Sequence, residues 1–198
     1  HIRRMCTRLR SYMIDPEAGR EGNVAVHADP AWWQPRDGAE IVACFMSSLV
    51  TSAVPMLSTD MRDLGAETRA IIKAWLGFYN ERTDLIMFGR HRVLGTDPHH
   101  SIFSVHREGE AVIGIYTAAL PGQLEMPDPS VRRLWILNGS GQDRLFARLT
   151  GIAGGVIVVN RYSRALELQE SQSMPVFEGG AVLDLRVDIG GALELRVS

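Results

Sequence analysis

The sequence predicts a fold in two parts, α/β over residues 1–84 and all-β over residues 85–198. Three observations carry that expectation. Before Asp84, amphipathic helical stripes alternate with short apolar runs, the order in which parallel βα units are written. From Ser52 to Arg92 an apolar run, a helix and a new strand follow one another without slack. Beyond Asp84 the spacing of apolar residues falls from about 3.6 to about two, the period of half-buried strands.

The first element is a helix in which Ile2, Met5, Cys6, Leu9, Tyr12 and Met13 form a stripe and Arg3, Arg4, Arg8 and Arg10 occupy the solvated faces. It ends at Asp15-Pro16, because the residue before a proline is pushed out of the helical region. After a loop with Gly19, Gly22 and Asn23, the run Val24-Ala25-Val26 suits a short parallel strand buried on both faces. Asp37 is placed to cap a second helix that buries Ile41, Val42, Phe45, Met46 and Leu49. Ser52–Leu57 reads as the next strand. Behind Asp63 comes the pivotal helix, with Leu64, Ile71, Ile72, Trp75, Leu76 and Tyr79 on one face and Glu67 near its positive end. Two parallel strands cannot stand alone, so this half reads as incomplete.

The second half supplies seven or eight short strands with frequent turns, the signature of an antiparallel β-sandwich. Ile102–Arg107 and Val112–Tyr116 flank the turn Glu108-Gly109-Glu110, and further runs occupy 133–137, 145–149 and 155–160. In the last two runs Leu183, Leu185 and Val187 oppose Asp184 and Arg186, and Leu193, Leu195 and Val197 oppose Glu194 and Arg196.

Composition narrows the function classes. With 198 residues, 45% of them apolar, the chain can bury a real core, and a net charge of −2 leaves no basic footprint for nucleic acid. No apolar run approaches a membrane span, and no basic-apolar leader precedes a cleavage site. Cys6 and Cys44 are too few for a disulfide framework or a cysteine zinc site. His99 and His100 follow Asp97-Pro98 in a turn that presents two adjacent rings poorly to one metal, so no metal or cofactor is expected. Asn138-Gly139-Ser140 fits a glycosylation sequon and equally a tight turn.

The chemically dense stretch is HADPAWWQPRD, after Val24–Val26, where a strand of a parallel sheet would hand over to its ligand-facing loop. Trp32 and Trp33 offer flat faces on which the C–H side of a sugar stacks, and His27, Asp29 and Gln34 supply a polar rim. The competing reading packs one Trp under the loop and satisfies His27 at the strand end. Asp60 closes the other strand and is a lesser candidate, since it can equally bond its own turn or receive Arg62.

The helix IIKAWLGFYNER followed by LIMFGRHRVL, behind a strand that ends near Asp60, resembles the end of the catalytic barrel of melibiase-type α-galactosidases. The likeness lies in order and spacing over the first half of the chain; the sandwich is matched in architecture only. It implies that residues 1–84 are the last βα units of a (β/α)8 TIM barrel and that 85–198 are the sandwich which follows it. It further implies a retaining glycoside hydrolase in which His27 faces the active site and both catalytic carboxylates lie upstream of His1. On that expectation the chain supplies part of a sugar pocket and is inactive alone. Two alternatives stand beside it: a non-catalytic carbohydrate-binding or assembly β-sandwich module, and a relative that has lost its carboxylates. The expected partner is a carbohydrate, with neither nucleic acid nor membrane, and the open edges of a cut barrel would favour self-association.

Overall fold

The computed structural model describes residues 14–15, 20–21, 33–34, 36–51, 53–94, 101–118, 123–152, 155–177 and 180–197. Its helices are α1 (Ala39–Val50), α2 (Ala66–Glu81) and α3 (Thr83–Phe88), with a 3-10 turn at Met61–Asp63. Strands β1 (Ile14–Asp15) and β2 (Arg20–Glu21) form a small antiparallel pair. The remaining strands are β3 (Arg90–Val93), β4 (Ile102–Arg107), β5 (Glu110–Ile115), β6 (Gln123–Glu125) and β7 (Arg133–Asn138). They continue with β8 (Arg144–Thr150), β9 (Gly155–Tyr162), β10 (Leu168–Val176), β11 (Ala181–Arg186) and β12 (Ala192–Val197).

Seven strands make one sheet in the order β10-β9-β12-β7-β5-β4-β3, and β11-β8-β6 make a second. Pairing is antiparallel except at β5 with β7 and β6 with β8. The central strands of the large sheet are buried on both faces, whereas the edge strand β10 is largely exposed. One face joins the helices in a core that includes Ile71, Ile72, Trp75, Phe103, Val112 and Trp135. The other meets the small sheet in a core that includes Ile113, Ile136, Leu145, Leu149, Leu183, Leu193 and Leu195. The chain is therefore three layers: helices, large sheet, small sheet.

This arrangement corrects the barrel expectation. Val24–Val26 lies outside the described residues, and Ala53–Leu57 holds only single bridge positions at Val54 and Leu57. Among the described residues no parallel βα unit stands, and the protein is mostly β. The reason is physical: an amphipathic stripe requires an apolar surface but does not name it. The stripe of α2 finds its surface on strands that come later in the chain, while Pro55 removes a ladder donor from the segment in front of it. The boundary expected after residue 84 falls inside α3, and residues from both sides of it share the helix-side core.

Local details depart from expectation in the same way. Gly65, not Asp63, is the N-cap of α2, and Gly38, not Asp37, that of α1; neither makes a side-chain cap bond. Tyr116 fastens the end of α1 to the sheet, its hydroxyl donating to Ser47 O (3.1 Å) and sharing a hydrogen bond with Thr51 Oγ1 (2.9 Å). Its ring fills a slot left by Gly114, where a Cβ would come within 2.5 Å of it. Asn138 is buried and spends its amide on the carbonyls of Gln142, Val187 and Asp188 while its oxygen accepts from Ser140, so the sequon is an internal loop tie.

Gly77 sits within α2 with a helical backbone, and a Cβ added there would meet nothing within 4 Å. Glycine costs a helix interior roughly 1 kcal/mol relative to alanine. Gly77→Ala is therefore expected to raise stability by about 0.5–1 kcal/mol in denaturant titration; a loss of stability would mean that the position is packed after all.

Candidate functional site

The residues singled out from sequence divide by placement. His27, Asp29 and Trp32 lie outside the described residues. Trp33 is 5% exposed and packs edge-on against Phe45, with centroids 5.7 Å apart, so its ring belongs to the helix-side core. Gln34 is exposed, and its backbone N–H donates to the Asp37 carboxylate (2.8 Å). Asp60 is exposed and closes its own turn, accepting from the Arg62 backbone (2.9 Å) and from the Arg62 guanidinium (2.6 Å). The side-chain and then the backbone hydrogen bond from Arg62 hold that carboxyl below its ordinary range. His99 and His100 lie outside the described residues, and among those described no group of three or more His, Cys, Asp or Glu is placed to hold a metal. Burial pushes the Cys44 thiol up to about 11, which keeps it protonated and inert at neutral pH. No helix of the described residues is long and apolar enough to cross a membrane.

The feature with chemical content lies where α2 crosses β7, β12 and β9. Register places Arg133 opposite Arg196, Trp135 opposite Glu194, and Glu194 opposite Asn160. Residues directly opposite in a ladder share a face. Towards the β9 side α2 no longer covers that face, and a cleft of about 550 Å³ opens. Its walls are Ala70, Ala74, Gly77 and Phe78 from α2, Trp135 and Tyr162 from the sheet, and Ala165 and Leu166 from the β9–β10 turn. Lys73, Glu81, Arg82, Arg133 and Glu167 complete its polar lining.

A relay of charge runs beneath the cleft. Glu194 has no exposed side-chain surface and accepts from Arg133 Nε (2.6 Å), Arg196 Nε (3.1 Å), Asn160 Nδ2 (2.9 Å) and the Tyr162 hydroxyl (3.0 Å). Burial alone pushes its carboxyl up; those four donors together outweigh burial and hold it at about 2. Glu110 accepts from Arg82 Nε (3.0 Å) and Trp135 Nε1 (3.1 Å). Arg82, itself buried, lies beside both the Phe78 ring (4.3 Å) and the Trp135 ring (4.6 Å) and also pairs with Glu81 (3.0 Å). A guanidinium suits this role because it stacks flat while its edge donates.

None of these groups stands among the residues first favoured from the sequence. The signal was faint but present: RLWILN on β7 is a run without alternation, the mark of a strand covered on both faces. On such a sheet the charged residues of the neighbouring strand cannot all reach water.

Glu194 gives a pH dependence of defined sign. The folded state keeps it ionised down to about 2 whereas the unfolded chain protonates it near 4.5, so protons bind the unfolded state first. Its contribution, on the order of 3 kcal/mol, is intact above pH 4.5 and drains away as pH falls towards 2. Glu194→Gln should cost about 3 kcal/mol at neutral pH and flatten this acid limb; urea titrations of both proteins across that range test it, and an unchanged acid limb in the variant would refute the assignment.

Comparison of the chain with protein-family models, with curated proteins and with solved structures found no match.

Proposed function

We propose that the protein is a non-catalytic carbohydrate-binding module whose saccharide lies in the cleft between α2 and the strands β7 and β9. One observation carries this reading: Tyr162, Ala165, Leu166 and the small side chains of α2 give the cleft apolar walls, to which the largely buried Phe78 and Trp135 add little surface, and donors and acceptors of both signs ring them. A sugar presents C–H-rich faces to apolar walls and hydroxyls that both donate and accept to a mixed rim. The volume falls in the range of ordinary small-molecule sites.

Binding is favoured over bond cleavage for a reason internal to the site. The retaining α-glycosidase implied by the resemblance needs two carboxylates flanking a bond, one of them protonated at working pH. Glu194, beneath the cleft, is held ionised with both oxygens occupied, and of the two carboxylates that line the cleft Glu81 is paired with Arg82, which leaves Glu167 without a second carboxylate to act with it across a bond. The work of Glu194 is to orient Arg133 and Tyr162 at the mouth of the cleft.

The reading is tested by screening the protein on a glycan array and titrating the strongest responders while following tryptophan emission, since Trp135 forms a wall. Lys73, an exposed residue of the rim, should contribute a hydrogen bond, so Lys73→Ala is expected to weaken binding about 5-fold while leaving stability within about 0.5 kcal/mol. Absence of any saccharide response at millimolar ligand, with a cooperative unfolding transition confirming that the sample is folded, would overturn the proposal.

A further inference from the structure

Resting on the saccharide reading of this cleft, we propose that its occupant is an uncharged sugar ring pressed against α2 at Gly77, and that the missing side chain at that position is what admits it. Two independent observations lead there. The first is Gly77 itself. Nothing about the backbone demands glycine, since the residue is helical and lies inside a sixteen-residue helix rather than at its end. Nothing about packing demands it either, because an added Cβ meets no atom within 4 Å. Glycine is among the poorest helix formers, and here it yields neither a turn nor a close helix contact. What it does is line the cleft opposite Trp135 and Tyr162. A side chain at 77 would project into that space and take the volume a ring needs.

The second observation is the charge balance. Arg82 is matched by Glu81 and Glu110, and Glu194 is shared by Arg133 and Arg196. Lys73 on α2 is offset by Glu167 on the other wall. A phosphate or a uronate would find no surplus of cationic groups to neutralise it, because the guanidiniums already point at carboxylates. Directional donors and acceptors remain at the rim, and hydroxyls use those at no cost in charge. The small side chains of Ala74 and Ala70, one turn and two turns before Gly77, extend the same open floor along the helix.

The experiment is isothermal titration of the wild-type chain, Gly77→Ala and Gly77→Leu with the methyl α-glycosides of galactose, glucose and mannose, and with galacturonate and inorganic phosphate. Thermal unfolding of each variant controls for folding, and both substitutions should leave the melting temperature equal or higher. The expected result is that a neutral glycoside binds the wild type more tightly than galacturonate or phosphate does. Gly77→Ala then weakens it about tenfold, and Gly77→Leu abolishes it. Equal affinity for the neutral glycoside in all three proteins would overturn the role of Gly77 while leaving the saccharide reading in place. Tighter binding of galacturonate or phosphate would overturn the uncharged assignment. No binding of any sugar to folded wild type would remove this inference together with the reading it rests on.

Discussion

Charges trapped between layers must find partners, and the arrangement of helices on this sheet follows from that constraint. Arg82 sits where α2 ends, and its guanidinium joins the helix to β5 through Glu110 and to β7 through the Trp135 ring. Arg133 bridges from there towards Glu194 on β12, which Asn160 and Tyr162 on β9 complete. Four successive elements of the sheet side are thereby tied to one helix terminus by directional bonds. Removing one member leaves another buried and uncompensated, which is far more costly than losing an exposed ion pair.

The hydrophobic term supplies stability without direction. The central strands of the large sheet are apolar on both faces, so packing alone would let the helices slide along them. The polar relay, the Tyr116 anchor on Thr51 and Ser47, and the bond from Trp75 Nε1 to the carbonyl of Arg164 (3.0 Å) pick out one placement. That placement leaves part of the sheet uncovered beside α2, which is how a cleft with aromatic walls and a fixed ionic floor arises from an ordinary layered core. Tyr162 belongs to both systems: its hydroxyl serves Glu194 and its ring, 5.2 Å from Trp135, serves the wall.

Much of the chain's local structure was legible. The stripe Ile71, Ile72, Trp75, Tyr79 marks α2, and two-residue alternation marks β4, β8, β11 and β12. The candidate site was not. Trp33 reads as a ligand platform because an exposed and a buried tryptophan look alike in sequence, yet Phe45 covers it. Glu194 reads as a solvent-facing residue opposite Leu193 and Leu195, yet it is fully buried. His91 sits between two arginines in sequence, and it is buried beside Phe103, its imidazole pushed down to about 4 by burial first and by the nearby His106 second. In each case a second layer closes over a face that the pattern assigns to water.

By itself the sequence determined α1, α2 and several of the later strands, because periodicity and turn chemistry act over a few residues and are written locally, whereas the strand expected at Ser52–Leu57 is only two bridge positions and α3 stands where strands were expected to begin. It also determined that the surface carries no strong charge bias, since that is arithmetic on composition. Only the tertiary structure decided that the helices lie on the later strands rather than on barrel strands of their own, and that Glu110, Arg82, Arg133 and Glu194 meet. Those decisions depend on which apolar faces find one another across long separations, and an apolar stripe carries no address.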